Sequence, residues 1–199
     1  MLKARIAVLV SGGGTNLQAL LNARNTVLQS GDIVLVVSNN PDAYALQRAA
    51  AAGVKSAVVR KKDGNFEERL AAVLEENKID LIILAGFMTI LSAGFTARFR
   101  DRIINVHPSL IPSFCGQGYY GLKVHEEALA YGVKVTGATV HLVNEIPDGG
   151  RILLQKAVDV LDGDTPEILQ KRVMEQAEWI LLPRAAEMMS REIIGKENL

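Results

Sequence analysis

The 199-residue sequence predicts an α/β fold: a Rossmann-like, three-layer open sheet, mostly parallel, with helices on both faces. Three observations predict it. Short apolar runs bounded by turn residues alternate with stretches of helical periodicity from residue 5 to residue 106. A glycine-rich turn closes the first apolar run and opens the first helical stretch. Beyond Pro112 the alternation gives way to two long apolar runs separated by a turn, so the C-terminal part is expected to add antiparallel strands.

Residues 5–10 form a short apolar run ahead of glycines and read as a buried strand. Residues 15–28 carry apolar side chains at helical spacing, and 33–37 read as a second strand. Residues 42–52 are an alanine-rich helix closed by Gly53, and 54–59 a third strand. An amphipathic helix spans 66–77, a fully buried fourth strand 80–85, and a fifth strand 102–106. A loop rich in glycine and aromatic residues then leads to a helix over 124–131 and strands over 134–143 and 152–160. The last helix, 165–190, starts at a cap supplied by Asp164 or Thr165, with Pro166 in its first turn, and is expected to break or kink at Pro183.

Composition narrows the function classes. Hydrophobic residues make up 49% and charged residues 22%, the balance of a globular chain that can bury one sizeable core. Lys+Arg and Asp+Glu both number 22, and zero net charge argues against a protein that coats nucleic acid, although it leaves room for a small basic pocket. One cysteine, Cys115, cannot form an internal disulfide and fits a reducing compartment, where it is expected to be inert. The N-terminal apolar run is too short for a secretory signal and nothing approaches a membrane span, so a cytoplasmic protein without a membrane partner is expected. Arg60, Lys61 and Lys62 read as a solvated loop.

The segment Ser11-Gly12-Gly13-Gly14-Thr15-Asn16-Leu17 joins a strand to a helix. Glycines allow close backbone approach, and a helix N-terminus offers free amides and the positive end of its dipole, which together suit a phosphate. A Walker loop is excluded because no lysine follows the glycines. A dinucleotide fingerprint needs a glycine where Leu17 stands and a carboxylate where the second strand ends in Ser38, Asn39 and Asn40. A single phosphate ester fits better. A tight strand-to-helix turn without a ligand is the plainer alternative.

Asn105 and His107 flank Val106 at a strand's carboxyl end, so both side chains can face one cleft, at the edge where open α/β sheets bind ligands. Asp148 lies in Ile146-Pro147-Asp148-Gly149-Gly150, a turn between two strands. An amide donor, an imidazole and a carboxylate suit acyl-type transfer to an amine. Asn105 could donate to the developing oxyanion, His107 could exchange protons, and Asp148 could orient the ring and favour its charged form. Taken singly, a histidine at a strand end and an Asp-Gly-Gly turn are ordinary structural features. His125 and His141 lack metal-ligand spacing with His107, no metal is expected, and His141 reads as a packed or hydrogen-bonded strand residue.

The ordered set of Ser11-Gly12-Gly13-Gly14-Thr15-Asn16-Leu17, Ala85-Gly86-Phe87-Met88, Ile104-Asn105-Val106-His107-Pro108-Ser109-Leu110-Ile111-Pro112, Thr136-Gly137-Ala138-Thr139-Val140-His141 and Asp148-Gly149-Gly150 resembles the folate-dependent phosphoribosylglycinamide formyltransferases of purine biosynthesis. The resemblance covers roughly residues 4–190. It implies one formyltransferase domain over 1–199, with a nucleotide-binding half near 1–100 and a folate-binding and catalytic half near 101–190. It implies 10-formyltetrahydrofolate as co-substrate, glycinamide ribonucleotide as acceptor, and a monomer or homodimer. Asn105, His107 and Asp148 would be catalytic. Gly14, Thr15, Asn16 and Glu178 would bind the nucleotide. Met88, Thr89, Ile90, Leu91, Asn105, Asn144, Glu145, Ile146, Pro147 and Asp148 would bind the folate. A cis peptide before Pro112 is expected by the same similarity.

The sequence departs from the family pattern at Thr89, where many relatives carry arginine, in the longer loop over 114–121, and at Trp179, where a histidine is frequent. Three other readings compete. A formyltetrahydrofolate deformylase would share the trio but usually adds a regulatory domain, for which the chain is expected to lack room, and would leave the glycine loop without purpose. A formyltransferase acting on initiator methionyl-tRNA would usually add a C-terminal domain and a basic surface. A nucleotide- or sugar-binding protein would leave Asn105, His107 and Asp148 unexplained.

Overall fold

The structure is a computed structural model that describes residues 2–197. Seven strands form one sheet: β1 (Ala4–Val10), β2 (Gly31–Ser38), β3 (Lys55–Val58), β4 (Leu81–Leu84), β5 (Ile103–His107), β6 (Val135–Leu142) and β7 (Ile152–Asp159). Their order is β3-β2-β1-β4-β5-β6-β7. β1 pairs in parallel with β2 and β4, as do β2 with β3 and β4 with β5, whereas β6 pairs antiparallel with both β5 and β7. The mostly parallel sheet with an antiparallel C-terminal part is the architecture the sequence predicts.

The helices are α1 (Thr15–Asn22), α2 (Tyr44–Ala51), α3 (Phe66–Glu76), α4 (Ala93–Arg98), α5 (Leu122–Tyr131), α6 (Pro166–Val173) and α7 (Trp179–Glu197). Strand side chains alternate between two cores. Ile6, Val8, Val10, Ile83, Ile104 and Val106 pack with α1, α2, α6 and α7 on one face. Ala7, Leu9, Ile82, Leu84 and Ile103 pack with α3 and α4 on the other. A bulge in β2 skips Val34 between the pairs Ile6–Ile33 and Ala7–Leu35, which puts Leu35 in the second core and Val36 in the first.

Two expected elements differ, and one helix was not expected. The first helix ends at Asn22 rather than at residue 28. The chain turns through Asn25, at a left-handed φ of 60°, so Leu28 reaches the first core from a turn that mimics helical spacing. The short helix α4 escaped the sequence reading; it is capped by Ser92, whose side chain accepts from the Phe95 amide. The last helix starts at Thr165, which caps α6 by accepting from the Ile168 amide, while Asp164 pairs with Arg172. Its irregularity precedes Pro183: one π-helical stretch, Met174–Glu178, separates α6 from α7, and Pro183 lies inside α7. Pro183 withholds an N–H from the helix, and the wider turn before it is where the hydrogen-bond ladder is re-registered. Among the described residues, no helix is long and apolar enough to cross a membrane.

Candidate active site

The parallel strands bring the ends of β1, β4 and β5 to one rim of the sheet. On the α3–α4 side this rim opens into a cavity of about 630 Å3, lined by 86–91, Asn105, His107, 116–121, His141 and 143–148. Met88, Thr89, Ile90, Leu91, Asn144, Glu145, Ile146 and Pro147 all line it, as do Asn105, His107 and Asp148. Met88, Ile90 and Ile146 are exposed apolar side chains there. Thr89 accepts at Oγ1 from the Asn39 side-chain amide at 2.8 Å.

The β-strand period puts Asn105 and His107 on the same face of β5, and the loop after β6 folds back to bring Asp148 to them. His107 Nδ1 lies 3.5 Å from Asp148 Oδ2, and the ring is buried. Its Nε2 donates to the Phe114 carbonyl at 2.9 Å. Burial pushes the His107 pKa below the ordinary value, and the Asp148 carboxylate partly offsets this. For Asp148, burial acts upward but is outweighed by the neighbouring His141 and His107 rings and the Gly116 amide, which donates at 2.8 Å; its pKa is lowered. Phe114 (φ 48°) and Asp148 (φ 55°) both hold left-handed backbone conformations that are uncommon for residues with a Cβ, and both touch His107.

Several members of this network were not legible in the sequence. His141 lies opposite Asn105 in the β5–β6 ladder, with its Nε2 3.2 Å from Asn105 Nδ2 and 3.4 Å from Asp148 Oδ1. Only the strand pairing reveals that neighbourhood. The Phe114 carbonyl and Gly116 amide are backbone groups with no sequence signature. His125 is fully buried on α5 with both ring nitrogens unpartnered, and burial together with the nearby His107 pushes its pKa to about 4. Cys115 donates to the Pro112 carbonyl, and burial raises its thiol pKa. The Ile111–Pro112 peptide is cis.

The glycine loop lies outside the cavity lining but joins its rim, since the Met88 amide donates to Ser11 Oγ at 2.8 Å. Gly14 sits at φ 72°, and a Cβ there would lie 2.6 Å from the Ala45 Cβ, so this glycine is required by α2 packing as well as by the turn. Nothing lies within 4 Å of a Cβ at Gly12 or Gly13, where the loop faces open space. The first intrahelical bond of α1 runs from the Gln18 amide to the Gly14 carbonyl, which leaves the Thr15 and Asn16 amides ahead of the ladder. Arg48, unmarked in the sequence reading, reaches across from α2 and donates to the Gly13 carbonyl at 2.8 Å. The Thr15 hydroxyl is exposed and meets the Met174 sulfur at 3.8 Å. Asn16 and Glu178 meet in a buried pair at 2.6 Å, and burial raises the Glu178 pKa to about 7.

A family model described as formyl transferase matches residues 4–185. The chain belongs to the formyl transferase family. This formyl transferase is 44% identical over 193 residues to the trifunctional purine biosynthetic protein adenosine-3 of Drosophila melanogaster, covering 94% of this chain and 14% of that protein. The chain thus spans only a small part of the trifunctional relatives it matches. It is 42% identical over 176 residues to the phosphoribosylglycinamide formyltransferase of Haemophilus influenzae, covering 86% of this formyl transferase and 81% of the relative. The crystal structure of glycinamide ribonucleotide transformylase 1 from Symbiobacterium toebii matches it with a TM-score of 0.89 at 39% identity, over 96% of this chain and 89% of that one.

Proposed function

We propose that this formyl transferase moves the formyl group of 10-formyltetrahydrofolate onto the amine of glycinamide ribonucleotide, giving formylglycinamide ribonucleotide and tetrahydrofolate in purine biosynthesis. The observation that carries the reading is the convergence of Asn105, His107 and Asp148 on one cavity at the carboxyl rim of the sheet. The names of the Haemophilus influenzae and Symbiobacterium toebii relatives support the choice of acceptor.

A reduced folate would occupy this cavity: the apolar side chains of Met88, Ile90 and Leu91 and the 143–148 loop that line it suit a flat heterocycle with polar edges. The acceptor's phosphate would lie on the amides of Thr15 and Asn16 beside Arg48, with Gly14 shaping the turn. Glu178 and Asn16 would hold a polar group of the same nucleotide; the Asn16 side-chain oxygen is buried without a partner. Anchoring at the phosphate, remote from the reacting amine, limits the freedom of the nucleophile.

Attack of the amine on the formyl carbon forms a C–N bond and develops negative charge on the formyl oxygen. Asn105 would donate a hydrogen bond to that oxygen. His107 would shuttle the proton lost by the attacking amine towards the nitrogen released when the original C–N bond breaks, with Asp148 holding the ring. Protonated at both nitrogens, the ring can donate to Phe114 and face Asp148 with Nδ1–H; the lowered pKa eases loss of one of these protons, so the ring could give a proton and regain it. These steps assign no role to a metal. The lone free thiol of Cys115 is in keeping with a cytoplasmic setting.

The test is formyl release from 10-formyltetrahydrofolate with and without glycinamide ribonucleotide, following the formylated nucleotide. Release that depends on the nucleotide and appears in it supports transfer. Release as formate without the nucleotide would make the chain a hydrolase.

A further inference from the structure

We infer that His141 is a positioning residue that fixes which way the Asn105 amide faces, and so prepares it to meet the formyl oxygen. The inference rests on the formyl-transfer reading above for the role of Asn105. His141 is buried in β6, and its Nδ1 lies 2.8 Å from the Leu142 carbonyl, a group that can only accept. Nδ1 therefore carries a proton. In the neutral ring Nε2 is then an acceptor, and the nearest polar atom to it, 3.2 Å away, is the Asn105 side-chain nitrogen. The antiparallel register places these two residues directly opposite each other, so their side chains share one face by construction.

An amide that gives one N–H to His141 keeps the second N–H of the same nitrogen for another acceptor, and Asn105 lines the cavity. Asp148 is the competitor, because its Oδ1 is 3.4 Å from the same His141 nitrogen. If that nitrogen bore a proton, His141 would donate to Asp148 and Asn105 would have to turn its carbonyl oxygen towards the ring. The two arrangements exchange the ends of the Asn105 amide. The Leu142 carbonyl, by claiming the Nδ1 proton, selects the arrangement in which the amide nitrogen faces His141.

Two measurements on the full chain test this. The 15N spectrum of His141, recorded at the pH of the transfer assay, is expected to show Nδ1 protonated and Nε2 unprotonated; a protonated Nε2 would overturn the inference. In kinetics, His141→Leu removes the acceptor and is expected to lower kcat roughly ten-fold, the size of one lost hydrogen bond, with both KM values unchanged. His141→Gln offers an amide oxygen near the Nε2 position and is expected to restore most of the loss. Parental turnover in His141→Leu, or equal losses in both variants that track their thermal midpoints, would overturn the inference. If the parent makes no formylated nucleotide, the transfer reading fails, and the nitrogen spectrum still decides the orientation of the amide.

Discussion

Asn16 donates its side-chain amide to the Glu178 carboxylate at 2.6 Å, joining the first turn of α1 to the π-helical stretch before α7 inside the protein. Burial raises the Glu178 pKa from 4.5 to about 7, against the opposing pull of that hydrogen bond. Between these two values the folded state binds more protons than the unfolded state, so stability is full below about pH 4.5 and falls as pH rises through 7. The loss is on the order of 3 kcal/mol. The buried His125, with its pKa pushed to about 4, makes stability rise over much of the same range, so the Glu178 effect is read as the parent urea midpoint minus that of Glu178→Gln, which keeps an acceptor for Asn16; this difference should fall as pH rises from 4.5 through 7. A pH-independent difference between the two proteins would contradict the assignment.

Asp148, ahead of the Phe114 carbonyl, resists the burial-driven fall in the His107 pKa. Asp148→Asn should therefore lower the His107 pKa further, read from ring-proton NMR titration. An unchanged or raised value would show that the 3.5 Å pair does not govern the ring.

His107→Ala should reduce transfer by about 100-fold or more, the usual weight of a positioned acid–base group, while nucleotide affinity stays near parental. Calorimetric titration with the nucleotide separates the two effects. Loss of binding in proportion to loss of turnover would place His107 in the nucleotide site instead.

The loop glycines should separate packing from ligand approach. Gly14→Ala puts a Cβ 2.6 Å from the Ala45 side chain at a φ of 72° and should cost about 1–3 kcal/mol of stability. Gly12→Ala meets nothing within 4 Å and should stay within about 0.5 kcal/mol of the parent. If the loop holds a phosphate, Gly12→Ala should still raise the KM for the nucleotide. Chemical denaturation and steady-state kinetics on the two variants test both halves.

The sheet was readable because its strands are short apolar runs buried on both faces, such as Leu81–Leu84, and because Asn105 and His107 stand two residues apart at a strand end. The π-helical stretch was hidden, because Met174–Glu178 carries ordinary helical residues and its widening belongs to the turn before Pro183. The role of His141 was hidden for another reason. Its neighbours are set by the antiparallel register with β5, and a sequence that permits a strand does not state what lies across from it. Arg48 was passed over because its partner, the Gly13 carbonyl, is a backbone atom 35 residues away.

The sheet also acts as a partition. Leu17 and Ala177, beside Asn16 and Glu178, belong to the core on one side, whereas Leu84 and Leu91 of the cavity belong to the core on the other. A single molecule that touches both must straddle the rim like a saddle, crossing near the link between Ser11 and Gly86. On the proposed placement of the phosphate and the reacting amine, the span between them would be gauged by the rim itself, and acceptors too short to reach over it would be screened out by length before any chemistry begins.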